Sequence, residues 1–302
     1  MSSSNIAVSS PLGRGIRSSI SSEATSPACI CCGQAAAQTV YEVRSFPISR
    51  CSNCGLGRTT LDKDFDLEKY YSESYFNGDV DDGYADYLGS ENVLRPEFGR
   101  TATHLLAHSR SKGALLEFGC AYGFFLMEAA PFFTRVEGIE LCQDAVRFCR
   151  SRGLDVARGV VDAATLRGPY DAAVGLDVIE HIPDPHEAVK LIASRLNPGG
   201  TILLTTGDWR SLLARAMGPR WRLMTPPQHL SFFTPRSMTL MLEAAGLRVV
   251  ELSHPWKRVP LSLLAYQLQR LAGLKPRLFP ALNKWGVPIN LWDAMRVIAV
   301  KS

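Results

Sequence analysis

Four of the five cysteines near the start of the chain repeat one pattern. CICCG (29–33) and CSNCG (51–55) each contain C-x-x-C followed by glycine, with 18 residues between the two pairs. A C-x-x-C turn lets two thiolates reach one tetrahedral ion, and the following glycine takes the left-handed backbone that closes the knuckle. Cys29, Cys32, Cys51 and Cys54 therefore form a candidate closed four-thiolate zinc site, whose role is structural because no coordination position stays open. Disulfides and free buried thiols are the alternatives, and Cys31 is the spare. A second constellation lies in LLEFGCAYGFF (115–125), where an acid near the end of an apolar run is followed by a small-residue turn and another apolar run. Gly119 and Gly123 allow close backbone approach to a ligand at a helix N-terminus. A dinucleotide fingerprint needs glycine at 119, 121 and 124, but Ala121 and Phe124 occupy two of these positions, which weakens a pyrophosphate reading. Glu140 ends the next apolar run, 23 residues after Glu117, where a carboxylate accepts both hydroxyls of a ribose. Together these residues suggest an adenosine ligand without a pyrophosphate.

Such residues need a frame, and the periodicity supplies one. Apolar runs predict strands over 114–118, 135–140, 170–178, 201–206, 247–252 and 295–301, with helices over 123–133, 144–153, 185–200 and 237–246. Alternating strands and helices imply a mostly parallel sheet covered on both faces, with the ligand beyond the carboxyl ends of the strands. This α/β domain spans 96–302. It is preceded by a Ser-rich tail (1–28) expected to be disordered, a ribbon (29–58) and an acidic, Tyr-rich connector (59–95). The segment 256–290 separates the last two strands, and an apolar-faced helix and four prolines mark it as a cap that shapes the pocket.

At 302 residues and 46% hydrophobic, the chain can bury a full core. It has neither an apolar run long enough for a membrane span nor a secretory h-region, so a cytoplasmic location is expected. A transit peptide is the alternative for the Ser-rich tail with Arg14 and Arg17. Charge is segregated: residues 207–302 carry 14 Lys/Arg against four acids, a balance of +10 that leaves −6 for the rest. The densest basic stretch, WRSLLARAMGPRWR (209–222), reads either as a site for phosphates or bases or as a solvated helix face with core tryptophans.

EFGCAYG (117–123), VEGIE (136–140), LDVIEHIPDP (176–185), LNPGGTILL (196–204) and PQHLSFFTPRSMTLMLEAAGLRV (227–249) together resemble the class I S-adenosylmethionine-dependent methyltransferases. The resemblance covers about 95–302. With the ribbon, the chain looks like a bacterial subgroup in which a zinc ribbon precedes that domain. The resemblance implies a Rossmann-like, mostly parallel seven-stranded sheet. It also implies that Glu117, Gly119, Cys120 and Gly123 line the amino-acid end of the cofactor, Glu140 holds the ribose, Asp162 meets the adenine amino group, and Asp177 sits at the mouth of the fourth strand. Ala121 is a departure, standing where the family usually has glycine.

Methyl transfer from a sulfonium is an in-line displacement, for which an enzyme supplies alignment and a base for the acceptor proton. His181 and His229 are the candidates on loops facing the acceptor opening. Asp177, Glu180 and His181 also form D-x-x-E-H, similar to the E-x-x-E-H metal motif of ubiquinone-biosynthesis and small-RNA O-methyltransferases, which with His229 implies a divalent ion. The expected activity is O-methylation of a small molecule or sugar, with a phosphate-bearing acceptor favoured by the basic C-terminal third. RNA modification and a non-catalytic zinc-ribbon binding protein are the alternatives. The basic flanks of the cap leave room for peripheral membrane contact.

Overall fold

The computed structural model describes residues 28–35, 37–61, 86–271, 274–275, 277 and 279–302. The Ser-rich tail up to residue 27 and most of the acidic connector (62–85) lie outside the described residues. The N-terminal module is built on β1 (Ala37–Val43), β2 (Phe46–Cys51) and β3 (Gly57–Thr59), paired antiparallel in that order. Arg44 and Ser45 join β1 to β2 with φ of 52° and 66°, the two-residue positive-φ turn that matches strand twist.

The larger domain opens with α1 (Glu91–His108), followed by β4 (Ala114–Phe118), α2 (Phe124–Ala129), β5 (Arg135–Glu140), α3 (Gln143–Ser151) and β6 (Asp155–Arg158). Next come β7 (Tyr170–Leu176), α4 (Pro185–Arg195), β8 (Leu196–Gly207) and α5 (Leu212–Met217). The chain closes with β9 (Ser231–Phe232), α6 (Pro235–Ala244), β10 (Leu247–Ser253), β11 (Lys257–Pro260), α7 (Leu261–Leu271), β12 (Gly286–Ile289) and β13 (Ala294–Lys301). Helix starts follow local chemistry. Asp184 accepts from the Glu187 amide ahead of Pro185, and Thr234 forms a reciprocal capping box with Ser237 ahead of Pro235.

Seven strands form one sheet in the order β10-β13-β8-β7-β4-β5-β6. It is parallel except at β13, which runs antiparallel to both neighbours. The carboxyl ends of β4, β5, β7, β8 and β10 therefore share one edge. Period-2 alternation divides the core. Leu116 and Phe118 face α4 and α6 with Ile192, Met238 and Leu242, while Leu115 faces α1 and α3 with Leu105 and Val146. Each such fully buried side chain contributes about 1.5–3 kcal/mol.

Several elements differ from the sequence-based expectation, among them α1, which has Pro96 inside it and so runs across the expected domain start, and α5. Asn197-Pro-Gly-Gly does not extend α4. Leu196 is buried and already pairs with Tyr170, so β8 begins at the end of the helix. β6 was not anticipated, because its four residues bury only Val156 and show no clear alternation. The cap contains a two-stranded ribbon, β11–β12, beside its helix. Trp209 and Trp221 belong to a core cluster with Ile48 and Phe232, so the tryptophans of the basic stretch are packing residues.

Candidate active site

A cavity of about 910 Å³ opens at the shared carboxyl edge of the sheet. One wall is the β4–α2 turn, where Gly119, Ala121 and Gly123 all take positive φ, at 68°, 47° and 71°. A Cβ on Gly119 would meet Val178 Cγ2 at 2.3 Å, and one on Gly123 would meet Leu154 Cδ1 at 2.5 Å. Both glycines are thus fixed by backbone conformation and by packing against the protein, in addition to the ligand approach expected of them. Ala121 has no such relief, so its left-handed backbone carries a strain of about 1–2 kcal/mol.

Two carboxyl groups end the neighbouring strands. Glu140 Oε2 accepts from the Ala121 amide and Oε1 from the Cys142 amide, both at 2.8 Å, and these bonds oppose the upward push that burial gives its pKa. Glu117 is 3% exposed, and its Oε2 has no hydrogen-bond partner. Burial first, then the neighbouring Cys149 and Glu140, push its pKa well up. A buried carboxylate oxygen without a donor is costly, and a ligand bringing an ammonium to this point relieves the cost. An amino-acid group at Glu117 and a ribose at Glu140, the two ends of S-adenosylmethionine, fit this wall.

Comparison with known proteins decides the family. The profile described as "Methyltransferase domain" matches residues 94–252, more than half of the chain. The chain belongs to this methyltransferase family. It is 26% identical over 196 residues to a ubiquinone biosynthesis O-methyltransferase of Methylococcus capsulatus, covering 60% of this chain and 80% of that protein. It is 27% identical over 214 residues to the protein of the same name from Xanthomonas euvesicatoria, covering 62% and 87%. Other relatives of that name match over 64% of their own length. Among solved structures, a Bacillus halodurans protein assigned as a methyltransferase superposes with a TM-score of 0.51 at 16% identity, over 67% of this chain and 99% of its own. The complex of the Haloferax volcanii Trm112 methyltransferase activator with a methyltransferase gives 0.51 at 16% identity, over 73% and 96%. These likenesses establish a Rossmann-like S-adenosylmethionine-dependent methyltransferase.

The remaining cofactor-side residues of the methyltransferase divide. Cys120 lines the turn, but its thiol packs into the core beside Gly138, leaving its backbone to face the ligand. Asp162 does not reach the cavity. Its exposed carboxylate accepts from the Ala164 and Thr165 amides at 2.8 Å and caps its own loop, while Gly159, Val160 and Val161 line the cavity instead. We expect Glu140→Ala to weaken S-adenosylmethionine binding by about 1.5–3 kcal/mol, since a charge-assisted contact is lost and two amides are orphaned. Titration calorimetry is the check, and unchanged affinity would reject the ribose assignment.

On the acceptor side, Asp177 (φ 50°) points into the cavity, where its carboxylate accepts from Thr205 Oγ1 at 2.9 Å and pairs with Lys257 Nζ at 2.7 Å. Its side chain is 48% exposed, and against any desolvation by the cavity wall Lys257 and then Thr205 hold its pKa below the ordinary value. Lys257 thus takes up the carboxylate expected to contribute to an ion site. Glu180, His181 and His229 do converge, with one ligand atom from each within 4.8 Å of the others. The His181 Nδ1–H donates to Gln228 O at 3.0 Å and the His229 Nδ1–H to Leu223 O at 2.7 Å, so each ring turns its Nε2 lone pair the other way. Burial lowers the two pKa values to about 4 and about 3. Burial and then the Asp177 charge raise Glu180 to about 8, and its Oε2 has no hydrogen-bond partner. Two neutral imidazoles and an orphaned carboxyl oxygen fit a divalent ion. His181 lines the cavity and His229 does not: it sits behind, its ring 4.8 Å from that of His181, because the following loop is drawn onto the N-terminal module.

In that module the Sγ atoms of Cys29 and Cys54, and those of Cys32 and Cys51, lie 3.6 Å apart, and all four fall within 4.8 Å. A tetrahedron with Zn–S bonds of about 2.3 Å has edges of about 3.8 Å, and a disulfide needs about 2 Å. The thiols are thus spaced for an ion. At Cys32, burial is overcome by hydrogen bonds from the Gln34 amide, Asn53 and neighbouring thiols, which bring its pKa to about 7. Cys31 faces away and donates to Ser237 O at 3.0 Å, and burial raises it to about 12. The module adds its sheet to the methyltransferase through β9, with Gly57 opposite Phe232 and Arg58 opposite Ser231. Thr59 Oγ1 donates to His229 O at 2.6 Å, and Arg58 donates to Ser231 Oγ at 2.7 Å and Pro183 O at 2.9 Å. Sequence reasoning did not find Lys257 or this clamp, because neither a partner 80 residues away nor a two-residue strand leaves a periodic signal.

Proposed function

We propose that this methyltransferase methylates a hydroxyl oxygen of a small, largely apolar acceptor, with a structural zinc in its N-terminal module. The observation that carries this reading is the His181 imidazole at the cavity wall, its Nδ1 pinned by the Gln228 carbonyl and burial keeping the ring neutral. The names of the relatives support oxygen as the acceptor atom. S-adenosylmethionine supplies a methyl group on a sulfonium, ready for in-line displacement by a nucleophile. Glu117 holds the ammonium, Glu140 the ribose, and the positive-φ turn keeps the chain close to both. His181 takes the hydroxyl proton as the oxygen attacks. Glu180, His181 and His229 are the residues that would hold a divalent ion; with one bound, His181 Nε2 would be a ligand and the ion, by polarising the hydroxyl, would take the place of the base.

The acceptor chemistry moves away from phosphate. Each cation lining the cavity is matched within the protein: Lys257 by Asp177, Arg296 by Glu251 at 3.0 Å, Arg100 by Glu97, and Arg258 by Gly286 O at 3.3 Å. Arg220, in the basic stretch 209–222 that offered a phosphate site, is exposed and outside the cavity lining. RNA loses its support similarly, since Trp209 and Trp221 are core residues. Apolar walls from Leu94, Phe98, Leu191, Val259 and Leu263 favour a phenol-like body. Peripheral membrane contact retains one supporting observation, the exposed Trp256, Trp285 and Trp292 of the basic cap region. The test is methyl-labelled cofactor offered to phenols, sugar nucleotides and RNA, with and without Mg²⁺. Label in an ether of the phenol class is expected, and label confined to RNA overturns the proposal.

A further inference from the structure

A cluster outside the reaction chemistry joins α1 to β10. His104 and His108 stand four residues apart on the last turns of α1, the spacing by which two imidazoles on one helix face grip a single ion. Glu251 meets them from the carboxyl end of β10, with its Oε2 2.8 Å from His104 Nε2 and 3.3 Å from His108 Nε2. One ligand atom from each residue lies within 4.8 Å of the others. The edge of a tetrahedron with Zn–N bonds of about 2.0–2.1 Å is about 3.3 Å, so the opening needed is small.

Hydrogen bonding defines which atoms are turned inward. His108 Nδ1 lies 3.1 Å from His104 O. A carbonyl can only accept, so this nitrogen carries a proton and Nε2 is the atom turned to the carboxylate. Nε2 and Oε2 at 3.3 Å need a positive centre between them, a proton or a metal ion. Glu251 Oε1 is already engaged by Arg296 Nη2 at 3.0 Å and Ser253 Oγ at 2.7 Å, which orients Oε2 toward the imidazoles. His104 and Arg296 line the cavity, and the two histidine side chains are 30% and 27% exposed, so an ion has a way in.

We propose that His104, His108 and Glu251 form a transition-metal site in the cavity wall, distinct from the four thiols and from Glu180, His181 and His229. The Arg296 charge next to Glu251 disfavours ions held by charge alone, such as Mg²⁺ or Ca²⁺. The two nitrogens favour Zn²⁺, Ni²⁺ or Cu²⁺. Bound there, the ion ties the last turn of α1 to the end of β10, and the site keeps at least one position for water or ligand.

The experiment uses the full chain, zinc-loaded and freed of loosely held metal, titrated with Ni²⁺ by calorimetry. The expected result is one equivalent of Ni²⁺ bound by His229→Gln, with any second equivalent in the wild type belonging to Glu180, His181 and His229, so the further variants are made in the His229→Gln background. His108→Gln and Glu251→Gln should weaken it by more than the roughly 10- to 100-fold that losing a supporting partner costs. A second readout needs no ligand substitution: Cu²⁺ added to His229→Gln should give an electron paramagnetic resonance spectrum split by two nitrogens. Absence of Ni²⁺ uptake at millimolar concentration, uptake that survives His108→Gln, or a copper spectrum without nitrogen coupling overturns the proposal. The first of these outcomes assigns the cluster to a proton alone.

Discussion

Cys51→Ser is expected to strip the chain of the proposed zinc and to remove most of its methyltransferase activity, although Cys51 does not line the cavity. A closed thiolate site is worth on the order of 10 kcal/mol in isolated zinc modules, and a hydroxyl is a poor substitute for a thiolate. Part of the module survives through Ile48, which packs with Trp209 and Phe232. The loss is therefore partial, and it should register as a lower melting temperature of the whole chain and not as an unfolded module. What suffers is the clamp: β3 holds the loop after His229 through Thr59 and Arg58, and the same Arg58 reaches Pro183, two residues after His181. Elemental analysis should fall from one zinc per chain toward none, with kcat depressed more than cofactor affinity. Full zinc content with an unchanged melting temperature would reject the ribbon.

His181→Ala is expected to lower kcat by about 10²- to 10⁴-fold, roughly 3–5 kcal/mol, the usual contribution of a positioned general base. Cofactor affinity should stay unchanged, because Glu117 and Glu140 lie on the other wall. His229→Ala should cost less, since that ring acts from behind His181. Burial holds the His181 pKa at about 4, below its unfolded value, so the neutral ring prevails at neutrality. The histidine contribution to kcat is then flat above pH 5 and lost as pH falls through about 4. The same depression makes the neutral ring's stabilisation present above the unfolded value and lost progressively as the pH drops toward 4. A His181→Ala enzyme with wild-type kcat on a phenolic acceptor would remove His181 from the chemistry.

The sheet was legible because its strands are buried apolar runs of ordinary length: 114–118 and 135–140 coincide with β4 and β5. The helix starts were legible because Asp184-Pro185 and Thr234-Pro235 are local signals. The acids at the strand ends, Glu117 and Glu140, were legible as cavity residues, and both line it. Asp162 misled because an exposed aspartate beside Thr165 satisfies itself locally, a choice made by three residues and independent of the ligand. The acceptor wall was only half visible. The D-x-x-E-H pattern marks the right loop, but whether Asp177 faces an ion or Lys257 depends on where the cap folds back, and composition does not encode that. Charge segregation was a coarse guide for the same reason: a tally along the chain does not reveal that Lys257 pairs with Asp177, or that Arg222 and Arg296 pair with Asp293 and Glu251.

The two residues of β9 that complete the N-terminal sheet have a consequence for how the protein comes apart. A sheet whose outer strand belongs to the neighbouring domain cannot melt without undoing that neighbour's backbone bonds, and the loop of His229 cannot loosen without exposing the edge of β3. The two regions should behave as one cooperative unit, with a single calorimetric transition and shared hydrogen-exchange protection at Arg58, Thr59 and Leu230. A chain shortened to begin at α1 would keep every residue assigned to cofactor binding. It would be left with a bare strand edge and a solvent-facing Phe232 beside its acceptor pocket, and self-association through that edge is the behaviour to look for.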